Sequence, residues 1–104
     1  MEVVLMDKLV VPEASKDTFL EAVRRSAAFR RTLPGFMEGF VYEKQDRDSH
    51  HNLVTTAVWK DGEAFPNAKK SAVEGFRKIR FNPPEVMQNL KVQLERAVYH
   101  RSSY

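Results

Sequence analysis

One carboxylate interrupts the apolar run Val3-Val4-Leu5-Met6-Asp7-Lys8-Leu9-Val10. Buried among such neighbours, Asp7 would lose hydration, favour its protonated form and become a general base suited to neutral pH. Pairing with a basic residue, or a place at a wet edge, would remove that role. Trp59 closes a second apolar run, where its indole can stack on a flat substrate or simply fill core. His50 and His51 follow Asp46 and Asp48, a composition that suits zinc or manganese. Neighbouring side chains on an extended chain point in opposite directions, however, so no shared ion is expected, and His51 is retained as an acid or base at a pocket mouth. Tyr42, Phe40, Phe76 and Tyr99 are available to line an aromatic pocket. The chain has no cysteine, which removes disulfides, thiol nucleophiles and zinc-thiolate sites, and no glycine-rich phosphate loop or nucleophile elbow is present.

These residues must be positioned by elements that the patterning outlines. Residues 2–11 read as a first strand ended by Pro12. Ser15 is placed to cap a helix over 16–32, with Phe19, Leu20, Val23 and Ala27 at helical spacing, stopped by Leu33-Pro34-Gly35. Residues 36–43 and 52–60 read as strands joined by a polar hairpin over 45–51. In the first of these, Phe36, Phe40 and Tyr42 share one side and Met37 and Val41 the other. Asp61-Gly62 opens a second helix striped by Phe65, Ala68, Ala72, Phe76 and Ile79, which ends before Asn82-Pro83-Pro84. Pro66 falls in its first turn, where a lost hydrogen bond would make the helix start irregularly. Residues 84–90 can add a turn or two before a fourth strand carrying Val92, Leu94 and Val98.

Strand, helix, strand, strand, helix, strand is the split βαβ order: an α+β, ferredoxin-like fold with a four-stranded antiparallel sheet and helices on one face. Parity puts Leu5, Asp7, Leu9, Leu53, Ala57 and Trp59 toward the helices and Val4, Met6, Val10, Val54 and Val58 away from them. The second set needs cover, and the simplest cover is another copy of the chain packed sheet to sheet, giving a homodimer. On the helix side a pocket walled by Leu5, Asp7, Trp59, Ala72 and Phe76 would take a small planar organic molecule, since Ala68 and Ala72 leave room.

At 104 residues the sequence reads as a single domain over 1–104. No apolar run approaches the roughly 18 residues of a membrane span, and no signal sequence precedes the first strand, so the expected setting is cytoplasmic without membrane contact. The net charge is +3, with Arg24, Arg25, Arg30, Arg31, Lys69, Lys70, Arg77, Lys78 and Arg80 on the two helices. Interspersed acids make these read as solvated helix faces, and no nucleic-acid partner is expected.

Leu33-Pro34-Gly35-Phe36, and Ala57-Val58-Trp59-Lys60-Asp61-Gly62-Glu63-Ala64-Phe65, resemble the Pro-Gly-Phe and Trp…Glu-Ala-Phe stretches of the antibiotic biosynthesis monooxygenase family. The resemblance implies a dimeric α+β barrel and cofactor-free oxygenation of an aromatic or quinol-like molecule, with Asp7, Trp59 and His51 as catalytic candidates and Leu5, Tyr42, Ala72 and Phe76 against the substrate. No cofactor or metal is implied. The family also holds haem-degrading enzymes that depend on an Asn in the first strand and a Trp and a His on the second helix. Ungapped alignment from Trp59 puts Asp7, Ala68 and Lys78 at those places, so haem degradation is not expected. Two alternatives remain: a non-catalytic small-molecule-binding or stress-related protein on the same barrel, and an RNA-recognition module. The second would need its aromatic motif on strand three, whereas the aromatic run here directly follows the first helix.

Overall fold

A computed structural model describes residues 1–45 and 52–102. Its elements are β1 (Val3–Val10), α1 (Lys16–Arg30), β2 (Phe36–Glu43), β3 (Leu53–Trp59), α2 (Ala64–Lys78), α3 (Pro83–Asn89) and β4 (Gln93–Tyr99), with a 3-10 turn at Glu13–Ser15. The strands form one sheet in the order β2-β3-β1-β4, with all three pairings antiparallel. This is the ferredoxin-like arrangement that the element order predicts.

The faces follow from the register. Leu5 lies opposite Ala57, Asp7 opposite Thr55 and Leu9 opposite Leu53. Leu5, Leu9, Leu53, Ala57 and Trp59 are buried, and they pack with Phe19 of α1 and Ala68 of α2, so both long helices cover this one face. On the other face Phe40, Tyr42 and Tyr99 stay exposed.

Helix starts differ from expectation. Ser15 makes no side-chain cap on α1; the 3-10 turn ahead of it, closed by the Ser15 amide donating to the Pro12 carbonyl at 2.9 Å, leads the chain into the helix instead. Asp61 does the capping for α2, its Oδ1 accepting from the amides of Glu63 (3.0 Å) and Ala64 (2.8 Å). Pro66 is then the third helical residue. Its missing N–H is one of the four that have no intrahelical acceptor, so it costs no bond. α3 begins at Pro83, one residue ahead of the expected 84–90, with Asn82 accepting from the Glu85 amide at 3.1 Å and proline in the first turn.

One side chain extends the sheet past its last backbone pair. Asn52 accepts from the Val11 amide through Oδ1 and donates to the Val11 carbonyl through Nδ2, both at 2.9 Å. It thereby satisfies both polar backbone groups of a residue only 3% exposed. Asn52→Ala would leave that buried amide and carbonyl unpaired and should destabilise the fold by about 2 kcal/mol. In a domain of this size that corresponds to a melting temperature lower by roughly 10 °C, measurable by circular dichroism.

Candidate functional site

The buried core on the helix side falls into two parts. One holds Leu5, Ala57, Trp59 and Ala68; the other holds Leu9, Val11, Phe19 and Leu53. Between them the central strands carry polar residues on the same face, Asp7 opposite Thr55. Beyond Asp7 across the sheet stands Arg96 of β4. Over this polar rung, between sheet and helices, lies a cavity of about 1000 Å³.

Leu5, Asp7, Thr55 and Trp59 form its sheet side. Ala68, Ala72 and Phe76, spaced four apart on α2, present two small groups and a ring to it. Phe29 of α1 closes on Phe76 with ring centroids 5.1 Å apart. Gly75 makes that closure possible, because a Cβ there would collide with the Phe29 ring. Trp59 is 2% exposed and braced by Phe36 in an edge-on contact at 5.3 Å and by Phe65 at 6.1 Å. Its Nε1 is buried with no hydrogen-bond partner.

Asp7 is not the isolated carboxylate that its apolar neighbours suggest. Arg96 donates from Nε to Oδ1 at 2.8 Å and from Nη2 to Oδ2 at 2.9 Å. Both carboxylate oxygens are therefore engaged in an ion pair, the paired arrangement that the sequence leaves open beside the free-base reading. The hydrogen bond to Asp7 holds Arg96 above the usual guanidinium range. For Arg96 a raised value means stability that is present below the ordinary guanidinium range and is lost only as pH rises above it, so its shift adds no pH dependence near neutrality.

Arg30, in the last turn of α1, also lines the cavity. Its Nε is buried without a partner. Burial pushes it below the usual range, with Asp7 opposing that shift and Arg96 and Arg31 adding to it. Arg30 is thus partly buried at the cavity rather than wholly on a solvated helix face. The sequence does carry a signal for it: Arg30 follows Val23 by seven residues, two helical turns along the apolar stripe. Arg96 carries no such signal, since only the register of β4 against β1 places it beside Asp7.

Of the residues singled out from sequence, Leu5, Asp7, Trp59, Ala72 and Phe76 all border this one cavity. Tyr42 does not. A bulge between Phe36 and Glu38 reverses the parity of β2, so Phe36 packs on Trp59 while Tyr42, opposite Val54, lies on the outer face at 53% exposure. Phe40 and Tyr99 are also exposed there, Phe40 with its ring 6.1 Å from that of Tyr42. His50 and His51 lie outside the described residues, within which no group of three potential metal ligands occurs.

Residues 3–80 match the sequence profile of the family described as antibiotic biosynthesis monooxygenase. Among solved structures, SnoaB from Streptomyces nogalater, a cofactor-independent oxygenase, is 26% identical with a TM-score of 0.74, covering 99% of this chain and 95% of its own. A conserved protein from Methanosarcina mazei Go1 gives 17% identity and a TM-score of 0.76 over 98% and 94% of the two chains. Rv0793 from Mycobacterium tuberculosis gives 13% and 0.73 over 100% and 98%. The last two agree in fold alone. Comparison with curated proteins gives no match.

Space at Ala72 can be checked directly. Ala72→Phe adds a ring where the cavity has room, so melting should stay within about 3 °C of the parent, whereas overpacking of a filled core would cost about 1–3 kcal/mol.

Proposed function

Since the chain belongs to the antibiotic biosynthesis monooxygenase family, we propose that it is a cofactor-independent oxygenase acting on a small planar aromatic or quinol-like molecule. The observation that carries this reading is the cavity of about 1000 Å³ walled by Trp59, Phe76 and the small side chains of Ala68 and Ala72. A flat ring can stack there away from water. SnoaB, described as a cofactor-independent oxygenase, lends further support at 26% identity.

In such a reaction a quinol loses a hydroxyl proton and its electron-rich anion reduces dioxygen. One oxygen atom enters the ring, the quinol becomes the corresponding hydroxyquinone, and the second oxygen atom leaves as water. All four electrons come from the substrate, so no external reductant is required. The protein's part is to orient the ring, exclude bulk water and favour the anion. Trp59 and Phe76 orient it. Asp7 can take the proton only if Arg96 releases one of its oxygens, and His51 is the second candidate for that step.

We also propose that the working unit is a homodimer. Met6, Val10, Val54 and Val58 lie on the outer sheet face with the exposed rings of Phe40, Tyr42 and Tyr99, an apolar surface that a second sheet would cover. An obligate pair of this kind should bury about 2,000 Å² or more in total. Val58→Asp would place a charge in that interface and should shift sedimentation from dimer toward monomer, with a penalty of several kcal/mol. A parent protein that sediments as a monomer at micromolar concentration would refute the dimer.

Oxygen uptake is the direct test of the activity. With planar phenols and quinols and no added metal or reductant, at least one should be consumed with stoichiometric oxygen uptake, and Ala72→Phe should lower kcat/KM at least about tenfold by occupying the ring's space, about 1.4 kcal/mol of transition-state binding. Tight binding without uptake would mark a non-catalytic binding protein. A one-to-one Soret band on haem titration would redirect the assignment to haem chemistry.

A further inference from the structure

We propose that the cavity is an oxyanion-selective site, in which Arg30 and Arg96 together hold an anionic oxygen group of a planar ligand. The proposal deepens the oxygenase reading by naming the charge class of its substrate, but it concerns binding and can be tested without turnover.

Charge is the first argument. Among the described residues the cavity is bordered by five cations, Arg30, Lys69, Arg77, Arg80 and Arg96, against the single carboxylate of Asp7. That local excess is larger than the +3 of the whole chain. Low-dielectric walls focus such a field on the space between sheet and helices.

Geometry is the second. Asp7 spends both of its oxygens on Arg96, and among the described residues no carboxylate forms an ion pair with Arg30. Arg30 is left with a buried Nε that donates to nothing. Arg30 is only partly buried and borders the cavity, so its guanidinium can present an edge to two oxygens of a ligand. Arg96 is close enough to Arg30 for their charges to repel, so an anion between them would both satisfy that edge and offset the repulsion. The Arg96 side chain is 45% exposed, and Leu94 and Val98 on the same side of β4 are exposed at 39% and 58%. The helices thus leave this edge of the sheet open, which gives a ligand a way in beside the arginines.

The chemistry favours an oxyanion rather than a neutral acceptor. Phenolate, enolate and carboxylate share the planar oxygen lone pairs that match a guanidinium, and the rings behind them match the Trp59 and Phe76 walls. A site of this charge would also promote ionisation of a ring hydroxyl, by favouring its deprotonated form.

Calorimetric titration with naphthalene-2-carboxylate and its neutral isostere naphthalene-2-carboxamide tests the proposal, because neither is expected to react. The carboxylate should bind at least about tenfold tighter, and its affinity should stay level from about pH 6 to 9, as guanidinium rather than imidazole recognition requires. Titrating 2-naphthol across its own ionisation tells whether a phenolate is held as well as a carboxylate, and tighter binding of either ionised form supports the site. Arg30→Gln should cost the carboxylate at least about tenfold and leave the amide nearly unchanged, with Arg30→Lys restoring part of the loss. Asp7→Asn should act in the opposite direction, strengthening carboxylate binding by freeing Arg96. That gain would not arise if Arg30 and Arg96 served only to hold the fold, and it keeps the test open should Arg30→Gln fail to fold. Equal affinity for carboxylate and amide, or equal loss of both in Arg30→Gln, would overturn the proposal. Oxygen uptake by the parent protein is read separately: uptake with quinols beside equal affinity for carboxylate and amide would overturn only this proposal, and a carboxylate preference without uptake would overturn only the oxygenase reading.

Discussion

The structure is organised around a polar rung across the middle of an otherwise apolar sheet face. Asp7 and Thr55 sit where Leu5 with Ala57 on one side, and Leu9 with Leu53 on the other, would predict two more hydrophobic residues. Apolar side chains there would draw the helices down into one continuous core. The carboxylate, fixed by two hydrogen bonds to Arg96, cannot be covered by Leu or Phe without losing solvation it has only partly replaced. The core therefore condenses at the two ends of the sheet, α2 closing one and α1 with α3 the other, and the space between remains as the cavity.

This division explains why the two helices are built differently. α1 supplies Phe19 to the core at its N-terminal end, then brings Arg30 to the cavity near its C-terminal end. α2 supplies Ala68 to the core and keeps Ala72 small further along the same face, until Phe76 meets Phe29. The helices thus meet through a ring pair, and that pair needs a glycine beside it. Closure of the cavity roof and its openness toward β4 follow from these few side chains.

What the sequence reveals divides along a physical line. β1 and β3 are regular, so alternation assigns their faces correctly, and the helical stripe of α2 finds Ala72 and Phe76. Tyr42 is misplaced by alternation because a single bulge reverses parity, and the pattern contains no mark of where a bulge falls. The Asp7–Arg96 pair is hidden for a different reason: its partners are 89 residues apart, and only long-range register joins them. Arg30 is visible in the helical spacing yet reads as a surface residue, because charge at the end of a helix ordinarily faces water. A half-buried cation on an apolar stripe goes against that habit, and such violations of local pattern tend to gather at sites of function.

Trp59 has a further consequence. It is the chain's single tryptophan, it borders the cavity, and its ring N–H is buried without an acceptor. Native emission on excitation of indole therefore arises from one chromophore in one apolar environment, with no second signal to subtract. A ligand bound against that residue would change the colour or intensity of the light. The protein thus carries an optical reporter inside the space where its chemistry is proposed to occur.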